Sequence, residues 1–173
     1  VNVRLKPFSF TTFIKGEKIK EKVESDSGLI LENHMIKYEF KNNGTLKVAY
    51  DKEQKLNLLK NSGNVFSLYE DRPLNWDAWD IDFYYKESLL ETAHAKRINK
   101  VVNGNVCSGL NISYVIGNSK IDQKITLANN SKRLDFNTSV DWSEKHKMLR
   151  VHFPTIVKSE YASYDIPVSY THL

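Results

Sequence analysis

The 173 residues include a single cysteine, Cys107, so an internal disulfide framework and a cysteine-based zinc site are both excluded. The same scarcity favours a reducing compartment, and we expect a cytoplasmic protein. No run approaches the roughly 18–20 apolar residues of a membrane helix, and no membrane partner is expected. The first ten residues, VNVRLKPFSF, lack a leader's basic, apolar and small-residue layout and also an initiator methionine. Internal repeats and linker-like low-complexity stretches are missing too. Nor does one sign of charge dominate: 25 Lys and Arg stand against 21 Asp and Glu, for a net charge of +4. The lysines are dispersed, and the one dense block, KGEKIKEK (Lys15 to Lys22), is broken by glutamates. The charge describes a solvated surface, and no nucleic-acid partner is expected.

What is present is alternation. Apolar content of 40% against 27% charged suits a folded domain with a real core. Side chains on a strand alternate faces, so a period of two describes one buried and one wet face. LDFNTSVDW sets Leu134, Phe136, Thr138, Val140 and Trp142 against polar neighbours. KIDQKITLANN does the same with Ile121, Ile125 and Leu127, and LNISYVIG with Leu110, Ile112, Tyr114 and Ile116. MIKYEF offers Ile36, Tyr38 and Phe40; TLKVAY offers Leu46, Val48 and Tyr50; MLRVHF offers Leu149, Val151 and Phe153. Between these runs lie turn signals: KNNGT at 41–45, NGN at 103–105, GNSK at 117–120 and ANNSK at 128–132. Ten or eleven short strands at such spacing predict an all-β, antiparallel β-sandwich. Only EQKLNLLKNSG, Glu53 to Gly63, reads as helix-like, and it reads equally as a strand end and loop.

One stretch stands apart. EDRPLNWDAWDIDFYY, Glu70 to Tyr85, crowds aromatic and acidic side chains together. A strand from Trp79 would bury Trp79, Ile81, Phe83 and Tyr85 and leave Asp80, Asp82 and Tyr84 wet. Trp76 is left over, with Asp77 and Asp80 beside it and Pro73 stiffening the approach. An exposed indole near carboxylates suits a sugar, whose C–H face lies on the ring while its hydroxyls donate to carboxylates. Structural packing and ligand contact both remain open from these residues alone.

The same segment resembles the Glu-Asp-x-Pro-x-x-Trp-Asp-Ala-Trp-Asp stretch of glycoside hydrolase family 38 α-mannosidases. LENHMIKYEFKNNGTLKVAYDKE (Leu31 to Glu53) is similar to that family's first β-domain hairpin. KRINKVVNGNV follows in order, and VDWSEKHKMLRVHFPTIV (Val140 to Val157) resembles its Asp-Trp-x-x-x-His-Lys signature. The likeness runs over about Leu5 to Pro167, nearest to the bacterial and cytosolic-type members.

That resemblance implies the start of the family's C-terminal β region, part of a galactose-mutarotase-like super-sandwich truncated at its C-terminal end. It implies a parent α-mannosidase, a zinc-dependent retaining glycosidase that removes α-linked mannose from oligosaccharides. Retaining enzymes set two carboxyl groups about 5 Å apart. In this family the nucleophile and zinc belong to an N-terminal α/β barrel, so no catalytic residue and no metal ligand is assigned to this chain. The chain alone is expected to be inactive. Its expected partners are a mannose-containing oligosaccharide and the barrel of the same parent. Trp76, Asp77, Trp79 and Asp80 are the candidates for substrate contact or for the barrel interface. A stand-alone carbohydrate-binding module is the alternative, and a basic β-domain stacking on nucleic acid a third.

Other candidates read as structural. His146 and His152 share parity but stand about 20 Å apart on an extended strand, too far for one zinc. DWSEKHK is expected to be a loop with Glu144, Lys145 and Lys147 in water and a packing role. Cys107 is expected to be a small core residue. Residues 1–167 are read as the partial sandwich. Val168 to Leu173, VSYTHL, depart from the family pattern and are read as a non-native tail that takes His172 with it.

Overall fold

Asn-Gly at 43–44 does what that pair does between alternating runs: it turns the chain into a hairpin. Gly44 adopts φ +85°, and a Cβ there would meet the Tyr114 ring at 2.5 Å, so glycine is required on two counts. The computed structural model describes residues 7–8, 10–12, 28–76, 79–103 and 106–161. The KGEKIKEK block, Asp77, Gly104 and Asn105 of the expected NGN turn, and Val168 to Leu173 lie outside the described residues.

Among the described residues eleven strands form in order: β1 Ile30–Glu32, β2 Ile36–Phe40, β3 Leu46–Asp51, β4 Leu56–Asn57, β5 Val65–Glu70, β6 Leu89–Thr92, β7 His94–Asn103, β8 Cys107–Ile116, β9 Ser119–Ala128, β10 Leu134–Asp141 and β11 Lys147–His152. A short 3-10 helix, Phe83–Glu87, precedes β6. Every pairing is antiparallel. The sheets run β1-β2-β3-β4, β10-β9-β8-β7 and β11-β5-β6. The helix-like stretch at 53–63 is a turn followed by the two residues of β4.

The core lies where the inner face of β8 and β9 meets the other two sheets. Leu110, Ile112, Tyr114 and Ile116 alternate inward on β8, and Ile121, Ile125 and Leu127 on β9; all are buried with Leu31, Ile36, Tyr38, Phe40, Phe66 and Leu68. Burying each such aliphatic side chain is worth about 1.5–3 kcal/mol. Phe66 of β5 meets Tyr114 of β8 edge-to-face with centroids 5.2 Å apart. One polar network inside bridges the sheets: the Asn64 amide donates to Tyr114 Oη at 3.1 Å and Gln123 Oε1 at 2.9 Å. Tyr114 Oη donates in turn to the Gly44 carbonyl at 3.0 Å. Burial pushes the Tyr114 phenol up, which keeps it a neutral donor.

Three expectations are corrected here. On β3 the buried residues are Leu46, Ala49 and Asp51, not the predicted Leu46, Val48 and Tyr50. The register shifts at Glu39/Phe40, where β3 carries one extra residue, and such a bulge hands the inward face to the other parity. The predicted apolar faces of β10 and β11 are only partly covered: Val140 stays 42% and Trp142 40% exposed, with Val151 and Phe153 similar. Both are edge strands of their sheets, joined at one point by Phe136 against Phe153 at 5.3 Å.

Glu144 is the third. It was expected in water, yet its side chain is almost fully buried. It accepts from Asn118 N–H and Lys147 Nζ, both at 2.5 Å, tying the β8–β9 turn to the β10–β11 connection. The Lys147 ammonium holds this carboxyl below its ordinary value near 4.5. The packing role expected of this loop is the one it has. Cys107, expected in the core, is half-buried with a free thiol.

Candidate functional site

Between β5 and β6 the chain leaves the sheet for residues 71–88 and returns to pair with the strand it left. Two backbone bonds close the base: Glu70 N–H donates to the Ser88 carbonyl at 3.0 Å, and Asp71 N–H to the His146 carbonyl at 2.9 Å. The strand predicted from Trp79 does not form. Pro73, Asn75 and Asp80 are turn formers, and a compact loop followed by the 3-10 helix takes its place.

Asp82 organises the loop. Its Oδ2 accepts from Leu74 N–H at 2.8 Å and from Tyr84 Oη at 2.5 Å, pinning the outgoing to the returning limb. The Asp82 carboxylate raises the Tyr84 phenol above its ordinary 10.0, because the bond favours the protonated donor. Tyr85 anchors the helix to the sheet: its ring meets Tyr69 at 5.3 Å, and the Arg150 guanidinium lies 5.0 Å above it. Arg72 pairs with Glu70 at 2.7 Å. A small hollow of about 110 Å³ opens among Glu70, Asp71, Arg72, Asp82, Tyr84 and Ser88.

At the tip stand the residues singled out from sequence. Trp76 is 77% and Trp79 92% exposed, so the burial expected for Trp79 is overturned, as it is for Ile81 and Phe83. The Trp76 carbonyl accepts from Trp79 N–H at 2.8 Å and Asp80 N–H at 3.0 Å, which brings three of the four candidates into one turn. Asp80 Oδ1 accepts from the neighbouring Ile81 N–H at 2.9 Å, and Asp77 lies outside the described residues. Trp76 has φ +58°, a left-handed conformation that a bulky residue rarely adopts, at roughly 1–2 kcal/mol. Such strain persists where surrounding structure imposes it, as at binding sites.

Chemically, the tip presents two exposed indoles and the Asp80 carboxylate. It can stack an apolar ring face and accept hydroxyl hydrogen bonds. Among the described residues, no group of three or more His, Cys, Asp or Glu converges as metal ligands would. Sequence reasoning missed Asp82, Tyr84, Tyr85 and Arg150 as the groups that hold the loop. Pro73, Asn75 and Asp80 were the available signal, since so many turn formers argue against a strand.

These features define an all-β sandwich domain carrying an aromatic–acidic loop on one sheet. The chain belongs to glycosyl hydrolase family 38: the family's C-terminal domain matches residues 31–172. Alpha-mannosidase G of Dictyostelium discoideum is 30% identical over 154 residues, 84% of this chain and 14% of its own. Human Alpha-mannosidase 2C1 is 31% identical over 170 residues, 92% of this chain and 16% of its own. An Alpha-mannosidase of Saccharomyces cerevisiae is 29% identical over 130 residues, 70% of this chain and 12% of its own. The chain therefore spans about a sixth or less of the length of these relatives.

Proposed function

We propose that this chain is the non-catalytic start of the β region of an α-mannosidase and that its 71–88 loop lines or supports the sugar site. The parent hydrolyses α-linked mannose from oligosaccharides in the cytoplasm by a zinc-dependent retaining mechanism. The observation that carries the reading is the tip: Trp76 and Trp79 stand in water on a loop pinned by Asp82. Leaving two indoles exposed forfeits their burial, which a sugar ring or the face of a neighbouring barrel would recover. In this reading zinc and nucleophile are assigned to the rest of the parent, as the family resemblance implies. The loop's contribution is binding and positioning.

The test is an assay of aryl α-mannoside hydrolysis by the parent polypeptide and by this chain alone. The parent should turn over, release α-mannose first and lose activity to a chelator, while the chain alone stays inactive. Turnover by the isolated chain, or β-mannose as first product, contradicts the reading.

A further inference from the structure

The outward face of the sheet β7–β10 is as ordered as its inward face, but in polar residues. The registers align two rows across all four strands: Arg97, Ser113, Asp122 and Ser139 in one, and Asn99, Asn111, Lys124 and Asn137 in the next. Neighbours along a row stand about 4.8 Å apart and the rows about 6.8 Å apart, as the strand repeat dictates. Together they line an open trough of about 490 Å³, the size of a small-ligand site.

Two features separate this trough from an ordinary solvated face. Six of the eight side chains are short, so the floor stays open and only Arg97 and Lys124 reach above it. Among the described residues, Ser113 Oγ to Asp122 Oδ1 at 2.6 Å is the one side-chain bond within it. The exposed amides of Asn99, Asn111 and Asn137 can both donate and accept.

We infer that this trough is a second, remote binding site for a neutral oligosaccharide. Sugar hydroxyls both donate and accept, as amides and serine hydroxyls do. Two cations against one carboxylate give too little charge to hold a polyanion, and no aromatic ring lines the trough to stack a base. The choice of a mannose oligosaccharide rests on the α-mannosidase reading; the site itself rests on the sheet. It would hold a distal part of a branched glycan away from the 71–88 loop.

The experiment titrates α-linked mannotriose into the full chain by calorimetry and by ¹⁵N NMR. Asn111→Ala with Asn137→Ala together should weaken binding about tenfold. In the wild type, the side-chain amides of Asn111 and Asn137 should shift, a readout that needs no variant. Binding should survive high salt. No saturable binding, binding kept in the double variant, or binding abolished by salt overturns the trough. Equal affinity for cellotriose overturns the mannose assignment and leaves the trough standing.

Discussion

The β8–β9 hairpin and the excursion 71–88 use similar residues for opposite ends. In the hairpin, Tyr114 is sealed inside a cross-sheet network, and every second residue of both strands is buried. In the excursion, the 3-10 helix buries nothing, and Trp76, Trp79 and Phe83 face water. The difference lies in what stands opposite. The hairpin meets two other sheets; the described part of the loop is tied to its sheet by backbone bonds at its base and by Tyr85, and its two limbs are pinned by its own carboxylate. One region buries its aromatics in the core, and the other leaves them in water.

If that contrast is real, the two regions should break differently. Leu110→Ala, in the sealed half, should destabilise the chain by about 2–5 kcal/mol in urea unfolding. Gly44→Ala forces a Cβ onto the Tyr114 ring at a left-handed position and should cost about 1–3 kcal/mol by the same measurement. Asp82→Ala, in the loop, should cost only about 0.5–1.5 kcal/mol globally. It should nonetheless sharply raise proteolytic cleavage within 71–88, because Leu74 N–H and Tyr84 Oη lose their shared acceptor. An Asp82→Ala variant cut no faster than wild type would remove the claim that this carboxylate organises the loop.

Acid should weaken the sandwich through two carboxyls. The Lys147 bond lowers Glu144 and the Lys132 bond lowers Asp51, so the folded state binds fewer protons than the unfolded one in this range. Stability from these carboxyls is present above their ordinary values near 4 and is lost as pH falls through the depressed folded values. The urea midpoint should hold from neutral pH down to the ordinary carboxyl range and then drop, less steeply in Glu144→Gln. The smallest stability effect belongs to Trp76→Ala: within about 0.5 kcal/mol of wild type, as for a surface side chain.

Most of the sandwich was legible because its strands obey a strict period of two with turn residues between them. Ile36, Tyr38 and Phe40, and the inward sets of β8 and β9, lie where alternation places them. Alternation failed at β3, where one extra residue opposite Glu39/Phe40 exchanged the faces and no local composition marks the bulge. It overstated burial at Val140 and Trp142, because a pattern shows which face is apolar and not what covers it. Glu144 was misread because its partners, Asn118 and Ser119, lie some 25 residues away in sequence. In the loop, residue types and their crowding were legible, but the alternation of Trp79, Ile81 and Phe83 imitated a strand that Pro73 and its neighbours prevent. The polar rows on the outer sheet face were invisible beforehand, since only the register brings Asn99, Asn111 and Asn137 into line.

The most direct measurement compares kcat/KM on a mannose oligosaccharide, together with the thermal midpoint, for the intact parent enzyme and its Trp76→Ala variant. The account predicts a loss of about tenfold or more in kcat/KM, roughly 1.4 kcal/mol of transition-state binding, at an unchanged midpoint. Unchanged kinetics, or a loss of activity matched by a loss of stability, would contradict a role for the loop at the sugar site.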